Sequence, residues 1–223
     1  MLKRLFSTTP KGKSQFLLLA KDFRDSDALA RRMTVRQSHL DRAVQSKTDG
    51  TVLVGGATLG EGEGKPMNGS MLVLDFPSNE VAHAYVKSDP YIVGKVWETY
   101  TLSPFKLTAI VQTPPVATQP QFLVIAKDFR DALGKRLSNL DAHRKHLAKA
   151  AEKGFVLVGG PTLSAKDSES PNGSMFVFSA PSQFEVEEHL KADPFTTQNV
   201  WESYDIVPFK LAPLPPSAPT AKL

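Results

Sequence analysis

FLLLAKDFRD, from Phe16 to Asp25, returns almost unchanged as FLVIAKDFRD from Phe122 to Asp131. The same happens further along. TVLVGGATL from Thr51 returns as FVLVGGPTL from Phe155, NGSMLVL from Asn68 as NGSMFVF from Asn172, and VWETYTLSPFKL from Val96 as VWESYDIVPFKL from Val200. From Thr51 to Leu107 about 25 of 57 positions match their partners without a gap, far more than composition alone produces. A chain of 223 residues is therefore two copies of one unit. The copies are expected at 15–107 and 121–211, with a semi-extended proline-rich linker at 108–120, a tail at 1–14 and a second proline-rich tail at 212–223.

Within each copy, pattern and punctuation give the order of elements. Phe16 to Ala20, or Phe122 to Ala126, is an apolar run of strand length. A helix follows, in which Leu29, Met33, Arg36, Leu40 and Val44 form one stripe at three- and four-residue spacing, expected to face the core and ending before Gly50. Val52 to Val54 and Ser70 to Asp75 read as strands. Ser78 is a good N-cap for a second helix that stops at Asp89-Pro90, and Val96 to Leu102 is the last strand. The order βαββαβ predicts an α+β fold of two ferredoxin-like units, each an antiparallel sheet with helices on one face.

Composition removes several function classes. Hydrophobic residues at 41% and charged residues at 22% describe a globular chain, and no apolar run reaches membrane-spanning length. The absence of cysteine excludes disulfides, thiol nucleophiles and thiolate metal sites. The net charge of +4 sits at the amino terminus: Lys3, Arg4, Lys11, Lys13 and Lys21 all precede the first acidic residue, Asp22, so the remainder carries −1 and no nucleic-acid partner is expected. An RNA-recognition module shares the element order but needs a basic, aromatic strand that neither copy has. The glycines from Gly55 to Gly64 lead into a strand rather than a helix, so no dinucleotide is expected. The basic, hydroxyl-rich start with Arg4, Leu5, Phe6 and Ser7 is similar to a mitochondrial presequence and its processing site. Ala221-Lys222-Leu223 is a variant of the peroxisomal tripeptide, the alternative address.

An early strand ending in Ala-x-Asp, then Arg-x-x-His-Leu, a Gly-Gly strand, Gly-Ser, Asp-Pro-Tyr and a terminal Pro-Phe-Lys together resemble the YCII-related domain over nearly all of each copy. The resemblance implies a dimeric α+β barrel, a fold also used by muconolactone isomerases, here supplied by one chain as a pseudo-dimer. It implies a catalytic pair of the helix histidine and the Asp-Pro aspartate: His39 with Asp89 in copy one, and His146 with Asp193 in copy two. The chemistry implied is that of a cofactor-independent lyase or isomerase, the best-defined example being dehydrochlorination of a chlorinated hydroxyquinol.

Histidine with a carboxylate on one ring nitrogen suits proton transfer near neutral pH. A histidine that only caps or packs, and an aspartate that only ends a helix before proline, are the alternative. Matching the His-Leu dipeptides places His39 opposite His146 and puts His143 where copy one has Arg36. His143 and His146, three apart, lack a third ligand, so no metal is expected. Arg36, Asp22, Asp128, Ser70 and Ser174 are candidate substrate-binding residues, and the tryptophans Trp97 and Trp201 are expected in the core. Two classes follow: an enzyme acting on a small molecule through a His/Asp pair without a cofactor, or a binding or scaffolding protein that keeps the fold without the chemistry.

Overall fold

The structure, a computed structural model, describes residues 14–61, 64–110 and 119–213. Both proposed targeting signals, and most of the expected linker, lie outside the described residues.

Copy one runs β1 (Ser14–Asp22), α1 (Ala28–Thr48), β2 (Val52–Leu59), β3 (Met67–Phe76), α2 (Asn79–Lys87), α3 (Pro90–Val93), β4 (Trp97–Pro104) and β5 (Ala109–Ile110). Copy two runs β6 (Gln121–Asp128), α4 (Leu133–Glu152), β7 (Val156–Leu163), β8 (Pro171–Ser179), α5 (Gln183–Lys191), α6 (Pro194–Thr197) and β9 (Trp201–Leu211). Each copy has the βαββαβ order plus a one-turn helix that the sequence reading did not anticipate. Asp89 and Asp193 do not simply end a helix. They cap α3 and α6, accepting from Tyr91 N at 2.9 Å and Phe195 N at 2.8 Å, with proline in the first turn.

The nine strands form one antiparallel run in the order β4-β1-β3-β2-β9-β6-β8-β7-β5. The copies are joined by exchange of their last strands. The end of β9 pairs with β2 (Gly56↔Leu211, Thr58↔Phe209), while β5, part of the expected linker, pairs with β7 (Ala109↔Gly159). Because β5 follows β4 in the chain and Phe105 bridges Thr162, the run closes on itself as a barrel. Close approach at these seams requires glycine. A side chain at Gly56 would stand 2.4 Å from the Lys210 carbonyl oxygen, and one at Gly160 only 2.0 Å from that of Lys106.

The apolar strand runs are explained by burial on both faces. Phe16, Leu18 and Ala20 of β1 pack toward the helices of copy one, while Leu17 and Leu19 point into the barrel with Met71, Val73, Leu123, Met175 and Val177. Copy two repeats the outer layer with Phe122, Val124, Ala126, Phe176 and Phe178.

The expected apolar stripe of α1 faces the wrong way. Leu29, Met33 and Val44 are exposed, at 43%, 55% and 42%, and the buried face carries Ala28, Arg32, His39, Ala43 and Ser46. This helix turns polar side chains inward because the sheet and α3 supply partners for them.

Candidate active site

Each copy brings together a strand aspartate, a helix arginine and histidine, a strand serine and the aspartate that caps the one-turn helix. In copy one, Asp22 at the end of β1 receives two hydrogen bonds from Arg32 Nη1, at 2.8 and 2.7 Å. Arg32 Nη2 donates to the Gly69 carbonyl and to Ser70 Oγ, which also accepts from Trp97 Nε1. In copy two, Arg136 holds Asp128 and Ser174 in the same way. Asp22, Asp128, Ser70 and Ser174 are all buried, and each already has an arginine partner. They fix the guanidinium. Burial pushes both aspartate carboxyls up, opposed by the pull of the arginines, as expected for ions held away from water.

His39 lies two turns along α1 from Arg32. Its Nδ1 donates to Asp89 Oδ1 at 2.8 Å, since an ionised carboxylate can only accept. The ring stacks on Tyr91, 3.9 Å between centroids and 14° from parallel, with Trp97 edge-on. Bond and stack together fix both tautomer and ring plane. Among the described residues Nε2 has no hydrogen-bond partner.

In copy two, the residue at this position is His143. It donates from Nδ1 to Asp193 at 2.8 and 2.9 Å, stacks on Phe195 at 3.8 Å and 10°, and has Trp201 edge-on. The expected pairing of His146 with Asp193 is thereby corrected. His146 points instead to α5, where it stacks on His189 at 4.1 Å and donates from Nε2 to the His189 carbonyl. Both true pairs are separated by 50 residues in sequence. Copy one simply has two more residues than copy two in the loop before its helix. Placing the gap there aligns Ala28, Leu29, Arg32, His39 and Gly50 with Ala132, Leu133, Arg136, His143 and Gly154. Arg32 and Arg136 recur at equivalent positions in that alignment, which is the sequence signal for them.

A cavity of about 270 Å³ opens beside His143. Arg136, His143, Ser174, Leu137, Leu140, Leu147 and Phe176 line it from copy two, and Lys106 and Thr108 reach it from copy one. The site of copy two is therefore completed by the copy-one segment that leads into the exchanged strand. Arg36, the remaining sequence candidate, is half-buried on α1 and close enough to favour ionisation of the Tyr91 phenol, against the burial that raises its pKa.

The YCII-related domain model matches this chain twice, over residues 14–106 and 121–210. YciI of Escherichia coli is 30% identical over 95 residues, which is 41% of this chain and 95% of that protein. An aspartate kinase of Fusarium oxysporum, FUB3, is 34% identical over 98 residues, but the match spans only 18% of that enzyme and 41% of this chain. Among solved structures, chlorite dismutase from Candidatus Nitrospira defluvii, in complex with imidazole, superposes over 90% of this chain and 92% of its own, with a TM-score of 0.54 at 10% identity. That likeness concerns the fold, a dimeric α+β barrel, which this chain builds from its two tandem units. With both halves matched, the chain belongs to the YCII-related domain family.

Proposed function

We propose that this protein is a small-molecule enzyme of lyase or isomerase type, in which His39 and His143 remove a proton next to a carbonyl or phenol. The observation that carries this reading is the paired histidine geometry. In each copy Nδ1 is bound to a carboxylate, which leaves the lone pair of Nε2 without a hydrogen-bond partner among the described residues. Asp89 and Asp193 orient the ring and stabilise the imidazolium that forms. They do not take the proton themselves, because each also caps a helix.

In the proposed step the C–H bond next to a carbonyl, or the O–H bond of a phenol, breaks, Nε2 takes the proton, and the electron pair is held as an enolate or phenolate. From there it expels a leaving group from the neighbouring carbon or is reprotonated elsewhere. Acid–base chemistry of this kind is complete with the histidine, its carboxylate and the substrate.

The test is solvent exchange. One-ring phenols and enolisable keto acids are incubated in D2O with the whole protein, and loss of the C–H signal is followed by NMR. Wild type is expected to exchange at least one of them, with a His39→Ala/His143→Ala variant at least about a hundredfold slower. Binding without exchange in wild type establishes the non-catalytic alternative instead.

A further inference from the structure

The two sites share their histidine frame but not their cation. Three residues before the histidine and one after it, copy one carries Arg36 and Leu40, and copy two carries Leu140 and Arg144. Arginine and leucine have changed places across one helical turn, about 6 Å along the axis. Arg144, Leu140 and Lys106 all line the cavity beside His143, and Glu169 is the one acid in that lining. Among the described residues Arg36, Arg144 and the Lys106 ammonium have no ion-pair partner.

Resting on the histidine site described above, we propose that each site takes a single-ring amphiphile with one anionic group, and that the two sites hold it in opposite directions along the helix. In copy two the anion lies at Arg144 and the apolar end at Leu140, with Leu137, Leu147 and Phe176 covering the ring. In copy one the anion lies at Arg36 and the apolar end at Leu40. The cavity of about 270 Å³ beside His143 is at the small end of ligand sites, which sets the one-ring limit at site two, and the recurring histidine frame extends that limit to site one. A planar guanidinium suits a carboxylate or phenolate. One chain then presents its base to two different carbons of the same ligand, or the same carbon of two isomeric ligands.

The probe is 4-methylbenzoate, titrated into the full 15N-labelled protein. The amides of Gly56 and Ser70 report on site one, and those of Gly160 and Ser174 on site two. Arg144→Leu is expected to weaken binding at site two at least tenfold while leaving site one within twofold, and Arg36→Leu is expected to do the reverse. Nuclear Overhauser contacts from the probe's methyl group are expected at Leu140 in site two and at Leu40 in site one. Exchanging the pair in copy two, Leu140→Arg with Arg144→Leu, is expected to restore binding and reverse the probe, a result that a misfolded variant does not give. The proposal is overturned if the probe shifts neither set of amides, if Arg144→Leu changes affinity less than twofold, or if the methyl group lies toward the same end in both sites. Solvent exchange is not read in this experiment, so failure of proton abstraction leaves its outcome unaffected.

Discussion

The two copies differ least where side chains hold one another and most where they face a cavity or solvent. Asp22, Arg32, Ser70, His39, Asp89 and Trp97 all recur in copy two, with hydrogen-bond lengths that mostly repeat within 0.1 Å where both bonds are present. Trp201 is the exception. Its Nε1 is buried without a partner among the described residues, while that of Trp97 reaches Ser70. Around this frame Tyr91 becomes Phe195, and Arg36 becomes Leu140. Further along the helix, Arg42 stacked on Tyr85 becomes His146 stacked on His189. A buried polar network tolerates little change because each member leaves another unsatisfied, whereas the wall of a cavity carries no such penalty.

The largest expected effect breaks the shared frame. Arg32→Leu or Arg136→Leu strands a buried carboxylate, which costs about 3 to 5 kcal/mol and lowers the melting temperature by roughly 10 °C. The comparison requires similar losses in both copies. A loss confined to one, measured by calorimetry, means the two networks are not equivalent.

Next come the histidines. His39→Ala and His143→Ala are each expected to remove the exchange activity of their own site by about a hundredfold and to leave the other intact, so that the two single-variant rates sum to that of wild type.

A smaller effect separates the copies by pH. Burial, and then the neighbouring His146, depress the His189 pKa from 6.5 to about 4. Between those values the unfolded chain binds a proton that the folded chain refuses, so stability falls as pH drops from about 6.5 toward 4. The side chain is partly exposed, which limits the loss to about 1 kcal/mol, or roughly 2 to 4 °C in melting temperature. His189→Tyr, which installs the residue of copy one, is expected to flatten this part of the stability–pH curve. An unchanged slope assigns the effect elsewhere.

The smallest effect is expected from Tyr91→Phe. It removes a hydroxyl that has no hydrogen-bond partner among the described residues, so stability is expected to stay within about 0.5 kcal/mol by denaturant titration.

Much of this architecture is legible in the sequence, and the failures have physical causes. The duplication, the strand runs and the Ser78 cap follow from local pattern, and so does the encounter of His39 with Asp89 once the family resemblance is seen. The orientation of α1 does not, because hydrophobic periodicity assumes that a helix buries its apolar stripe. Here Arg32 and His39 are buried by partners on β1, β3 and α3, long-range contacts to which a helical wheel is blind. Matching His146 to His39 came from the local dipeptide His-Leu. A gap in a turn costs less structurally than one inside a helix, so the loop before α4 was the better place for it. The exchange of β5 and β9 left its trace in Gly56 and Gly160, whose meaning depends on Lys210 and Lys106, 154 and 54 residues away in the chain.

That strand exchange also bears on how such a molecule can evolve. In a homodimer every substitution is written twice, and a change that improves one pocket alters its twin in the same generation. Here the seams at Gly56 and Gly160 keep the geometry of a dimer, while Lys106 crosses from one half to wall the other's cavity. The tether lets each pocket mutate alone. A duplicated gene of this form can retain an ancestral specificity in one half while the other explores, without ever losing its partner to dissociation.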